Sequence, residues 1–136
     1  MSKQNRIRLL RIPAAGKEEI LTVSDAPVPP QTLAALLDTD VTERMRVPAM
    51  PKEFADADFV LCYFLDARGG EKSLPANFIG TCFYHTGCPI FGDLILAACA
   101  QDSDSAEIFG FSPEQCSILT TWLHEQFPEY LRNNDL

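Results

Sequence analysis

A chain of 136 residues with a formal charge of −8 is long enough for one domain and too short for two comfortable cores. Its 46% hydrophobic content excludes a chain disordered by composition, and a domain of this size folds without a disulfide or metal staple. The acidic excess, 19 carboxylates against 11 basic side chains, repels a phosphate backbone and disfavours nucleic acid as a partner.

Ile7, Leu9, Leu10 and Ile12 form a short apolar run that stops at Pro13, and Ile20, Leu21 and Val23 follow a Gly-containing turn. Two short strands so joined predict a hairpin. The arginines at 6, 8 and 11 are expected to face solvent or to guard a sheet edge. Ala26 to Pro30 breaks the chain, and Pro30 can open a helix over 30–38, in which Leu33, Leu36 and Leu37 share one side. Val41, Glu43, Met45 and Val47 then alternate with Thr42, Arg44 and Arg46, as the two faces of a strand do, before a loop begins at Pro48.

Asp58 to Asp66 is the clearest strand, apolar almost throughout and rich in aromatic and β-branched residues, which suits a central position covered on at least one face. Ala67 to Gly70 reads as a turn. Residues 77–85 read either as a brief helix capped by Asn77 or as a strand, and Gly80 weakens both. A loop at Thr86 to Pro89 and a turn at Gly92-Asp93 lead to another buried strand ending at Ala100. The acidic loop containing Asp102 and Asp104 follows. Ser112-Pro113-Glu114-Gln115 then matches a capping box, with Ser112 as N-cap and Gln115 reaching back. Phe111 can staple against Cys116, and Ile118, Leu119, Trp122, Leu123 and Phe127 recur on one broad face of the helix. The whole predicts a single α+β domain over 1–136, with an ordered core at 6–128 and frayed ends. Its mainly antiparallel sheet of about four to six strands carries the C-terminal amphipathic helix on one face, with one or two further short helices.

Lys3, Arg6, Arg8 and Arg11 precede the first acidic residue, Glu18, so the chain after Arg11 carries −12 (7 basic against 19 acidic). A basic protein partner suits that field, and a nucleic-acid mimic would need the acids after residue 90 to form one continuous face. The five cysteines show neither a C-x-x-C nor an even framework, and no apolar signal segment follows Met1, which together predict reduced thiols in a cytoplasm. The longest apolar run, Phe59 to Leu65, is too short for a bilayer.

Few residues offer chemistry. His85, Cys88 and Asp93 lie close in sequence, yet zinc needs three or four ligands and no other His or Cys is suitably spaced, so no metal or cofactor is expected. Cys88 or Cys82 paired with His85 or His124 is a thiol-nucleophile option, which requires a cation or helix N-terminus to lower the thiol pKa. Cys62 and Cys99 sit in apolar strands and read as core. Carboxylate pairs such as Asp56 with Asp58, or Asp102 with Asp104, read as solvated loops. Gly69-Gly70 lacks the lysine of a phosphate-binding loop. Trp122 reads more readily as core than as a binding residue.

One order of short motifs runs through residues 6–125. Pro13 to Gly16 is a P-x-x-G turn; a short helix and a strand bearing Glu43 follow; the apolar strand ends in the Asp66 to Gly70 turn. Leu-Pro-x-Asn-x-x-Gly-Thr at 74–81, Ile-x-Gly-Asp at 90–93 and Phe-Ser-Pro-Glu-Gln at 111–115 complete it. This order resembles an uncharacterised family of small proteins carried by phages, plasmids and integrated mobile elements, often of gut bacteria. The Cys88-Pro89 insertion and the longer 48–57 loop depart from the pattern. The resemblance implies a setting and a fold but no reaction.

Asn77, Thr81 and Asp93 become candidates for a polar binding site if they converge in space. The leading expectation is therefore a non-enzymatic interaction protein, an accessory or inhibitor factor of a mobile element, with a protein partner. The membrane is not involved, and a homo-oligomer stays open. The alternative is a small enzyme, Cys-dependent or other, centred on His85, Cys88 and Asp93.

Overall fold

A computed structural model of the chain describes residues 7–14, 18–23, 28–55, 59–84, 88–100 and 107–127. Strands β1 (Ile7–Ile12) and β2 (Glu19–Val23) pair antiparallel as the predicted hairpin, with Leu9 opposite Leu21. Helix α1 (Pro30–Leu36) precedes β3 (Thr42–Arg46), and β4 (Phe59–Asp66) is the long apolar strand. The two-residue strand β5 (Ala76–Asn77) runs into α2 (Phe78–Tyr84), then β6 (Ile90–Phe91), β7 (Leu94–Ala100), β8 (Ile108–Phe109) and the final helix α3 (Pro113–Gln126). The main sheet has six strands in the order β2-β1-β7-β4-β3, with β8 also on β7; every pair is antiparallel. β5 and β6 form a separate two-stranded pair. The α+β class is thus the observed one.

Alternation along the central strands divides the interior into two cores, because successive side chains leave a strand on opposite faces. Leu61, Tyr63 and Leu65 of β4 share one face with Leu94 and Leu96 of β7 and with Leu10 and Ile12 of β1. Ile79 and Phe83 of α2, and Cys116, Leu119 and Leu123 of α3, cover that face. The opposite face, with Leu9, Cys62, Phe64, Ile95, Ala97 and Cys99, is covered by Val28 and by Leu33 and Leu37 of the α1 segment. β4 is therefore buried on both sides, which explains its unbroken apolar run.

α3 starts where its capping box lies. Ser112 Oγ accepts from the Gln115 amide at 3.1 Å, and Gln115 Oε1 accepts from the Ser112 amide at 2.9 Å. Leu119 and Leu123, wholly buried, each contribute about 2 kcal/mol of burial. His124 Nε2 lies 2.9 Å from Glu18 Oε2 and ties the helix back to the start of β2.

Several sequence expectations shift. The first helix ends at Leu36 rather than at residue 38, because Asp38 takes a left-handed φ of 56° that no helix continues. For 77–85 the helix prevails after Asn77, while Asn77 itself pairs in β5. Ile90–Phe91 and Ile108–Phe109 are strands too short to carry a periodic pattern. β1 is not an edge, since it lies between β2 and β7. Arg11 accordingly does not face solvent: its guanidinium donates to the carbonyl of Leu36 and stands 3.5 Å from Glu19. It thereby satisfies an orphan carbonyl at the C-terminus of α1, where positive charge is favoured. Arg8 is half-buried, and Arg6 falls outside the described residues.

Candidate functional site

Asn77 and Asp66 are the two buried polar side chains among the described residues, and both have internal partners. Asn77 Nδ2 donates to the carbonyls of Ile12 at 3.0 Å and Gly92 at 2.9 Å, while its Oδ1 accepts from the Gly80 amide at 2.9 Å. The last of these is the N-cap bond of α2. Thr81 Oγ1 donates to the carbonyl of Asn77 and accepts from the amide of Ile90. Asp93 Oδ1 accepts from the Ala14 amide at 3.0 Å, and its Oδ2 lies 3.8 Å from Arg11 Nε. The three motif residues therefore do gather, around the turn after β1 and the β6–β7 turn. The partners they meet there are backbone groups of the fold and, for Asp93, the Arg11 guanidinium.

The residues of the enzyme reading are placed differently. His85 lies outside the described residues. Cys88 is exposed, and the carboxylate of Asp93 is held between Ala14 and Arg11. His124 faces Glu18, and Cys82 is half-buried on α2. No group of three or more His, Cys, Asp or Glu among the described residues could hold a metal ion. The pairs Asp56–Asp58 and Asp102–Asp104 fall outside the described residues, as does the acidic loop.

Asp66 closes β4 with a polar cluster of which the sequence showed only a turn. Its carboxylate accepts from Lys72 Nζ at 2.6 Å, from the Arg68 amide at 2.8 Å and from Thr39 Oγ1 at 2.9 Å. Burial alone raises its pKa, but the Lys72 hydrogen bond, the Arg68 amide, the Thr39 hydroxyl and the Lys72 charge together hold it below the usual carboxylate value. Lys72 also donates to the carbonyl of Asp38, so the cluster pins the 67–74 turn to the end of α1.

Comparison with known proteins gives no match: no family model, curated protein or solved structure is significantly similar to the chain.

One developed surface feature among the described residues surrounds Trp122. This side chain lies beside the buried stripe of α3 rather than within it, packs on the margin of the larger core and is half-buried. It lines two adjoining clefts. One, of about 560 Å³, runs between α3 and the 3-10 turn Lys52–Phe54, with Lys52, Glu53, Ser117, Thr121 and Glu125 around it. The other, of about 220 Å³, is more apolar and reaches Val47, Pro48, Cys82, Phe83 and Phe127. Indole anchors of this kind, flanked by a polar rim, are the residues that dominate protein interfaces. Helical spacing places Glu114, Ile118, Thr121 and Glu125 on the same side of α3, a signal present in the sequence. What the sequence lacked was the opposing wall at 47–54.

Proposed function

We propose that this chain is a small non-enzymatic interaction protein that engages a protein partner through the Trp122 face of α3. The observation that carries this reading is the half-buried indole shared by two adjoining clefts, with Glu53 and Glu125 on the rim. The partner such a surface suits is a protein segment with apolar side chains for the clefts and basic residues beside them, in keeping with the net charge of −8. The candidates for a polar binding site, Asn77, Thr81 and Asp93, support the reading by being engaged within the fold, with backbone groups and, for Asp93, with Arg11. No helix among the described residues is long and apolar enough to cross a membrane. Within the same proposal, the protein acts in a cytoplasm as an accessory or inhibitor factor of a mobile element. The mobile-element setting rests on the order of short motifs alone, and the cytoplasm on the cysteine pattern.

The test is capture of partners from host lysate with the tagged chain, beside Trp122→Ala, Glu125→Lys and a control change on another surface, Ile20→Thr. One partner held by the parent and by Ile20→Thr, and lost by Trp122→Ala and Glu125→Lys while thermal unfolding stays cooperative, is the expected result. Equal retention by Trp122→Ala, or no retention by the parent, overturns the proposal.

A further inference from the structure

A second site lies on the other face of the sheet. In the β4–β7 pairing, Cys62 stands opposite Ala97 and Cys99 opposite Val60, so the two cysteines are diagonal neighbours on adjacent central strands. Both project into the smaller core beneath α1, where Cys62 is 4% and Cys99 1% exposed. Each thiol shifts the titration of the other, Cys62 downward and Cys99 upward.

The edge strand adds charge to this pair. Arg46 of β3 is directly opposite Cys62, and Arg44 stands one alternation away on the same face. Hydrogen bonding from Cys99 lowers the Cys62 pKa, burial opposes that, and the charges of Arg44 and Arg46 lower it further. Cys99 is shifted the other way, by its hydrogen bond to Cys62, by burial and by the Cys62 charge. The remaining buried cysteine, Cys116, is pushed up by burial, against the charge of Arg8. Two thiols used only as apolar filling need neither a second thiol diagonally across nor an arginine directly opposite. An attacking sulfur beside a protonated one is instead the arrangement of a dithiol that reacts in two steps.

We propose that Cys62 and Cys99 form a peroxide-oxidisable dithiol that closes to a cross-strand disulfide, with Cys62 taking the oxidant and Cys99 resolving it. The low exposure of both residues selects a small oxidant, hydrogen peroxide, over a bulky disulfide. In the first step the Cys62 thiolate sulfur attacks one peroxide oxygen; the O–O bond breaks and hydroxide leaves, giving a sulfenic acid. In the second, the Cys99 sulfur attacks the Cys62 sulfur; the S–O bond breaks, and the departing hydroxide leaves as water with the Cys99 proton. The dithiol loses two electrons and the peroxide is reduced to two waters, counting the proton released when Cys62 ionises. The reaction is independent of the Trp122 surface.

The experiment treats the folded full chain with one equivalent of hydrogen peroxide, then blocks remaining thiols in denaturant and maps peptides by mass. A loss of two hydrogens, with one cross-linked peptide joining Cys62 to Cys99, is the expected result. In Cys99→Ala, dimedone should label Cys62, and in Cys62→Ala it should leave Cys99 unlabelled. If the parent chain shows peroxide products at Cys82 or Cys88 while Cys62 and Cys99 stay reduced, the proposal is overturned. A cross-link through any other cysteine overturns it equally, and this mapping on the parent chain requires no variant to fold. Dimedone on Cys99 in Cys62→Ala, with none on Cys62 in Cys99→Ala, overturns the assignment of the attacking sulfur.

Discussion

The carboxamide of Asn77 reaches the carbonyl oxygen of Ile12 across 3.0 Å, joining the start of α2 to the end of β1. A second bond from the same nitrogen holds the carbonyl of Gly92, so one side chain links three segments remote in sequence. All of this occurs at a fully buried position. A buried donor or acceptor left without its partner costs about 1–3 kcal/mol, which makes the site a structural tie of high consequence.

Asn77→Ala is therefore expected to lower unfolding stability by about 3 kcal/mol, since it strands the Ile12 and Gly92 carbonyls and the Gly80 amide. Thr81→Val should cost less, about 1 kcal/mol, while Thr81→Ser, which keeps the hydroxyl between Asn77 and Ile90, should be close to neutral. Urea unfolding of the three variants gives the ranking. Equal effects for Thr81→Val and Thr81→Ser would contradict it.

Gly92 tests the same region through its backbone. Its φ of +87° disfavours any side chain, and a Cβ there would come within 2.9 Å of Leu74 Cδ1. Gly92→Ala is expected to destabilise by about 2 kcal/mol, part from conformation and part from the clash. In a Leu74→Ala background the penalty should fall to the conformational part alone, about 1 kcal/mol. A double-mutant cycle with no coupling would rule out the steric share.

Asp66 predicts a pH dependence with a definite sign. Its folded pKa lies below the unfolded one, because the Lys72, Arg68 and Thr39 partners outweigh burial. The stabilisation is thus fully present above the unfolded pKa of about 4 and is lost as pH falls through the folded value. Asp66→Asn should be less stable than the parent by about 2 kcal/mol at pH 7, and the gap should narrow only below about pH 4. Lys72, whose side chain is 40% exposed, matters less, and Lys72→Met should cost about 0.5–1 kcal/mol. Thermal unfolding from pH 3 to pH 7 measures both. A gap that widened toward acid would reverse the assignment.

Local signals that require only neighbouring residues were legible. Ser112 through Gln115 announced α3, and the 59–66 run announced a central strand. The surface candidates were less so. Trp122 could be placed on α3 but not beside the Lys52–Phe54 wall, because that contact joins segments about seventy positions apart, and helical periodicity says nothing about such distances. Arg11 read as facing solvent or guarding an edge, since nothing near it in sequence shows that β7 will lie on one side and β2 on the other.

Alone, then, the sequence determined the α+β class, the helix start at Ser112, the hairpin of the first two strands and the acidic field. These depend on propensity, period and charge, which act over a few residues or over the whole chain at once. Only the tertiary structure decided that β1 is interior, that Asn77 and Asp93 meet the turn after Ile12, and that Cys62 lies diagonally across from Cys99. Strand order and register arise from backbone pairing between distant segments. A change of one residue in register would have turned Cys62 and Cys99 to opposite faces without altering the apolar pattern of either strand.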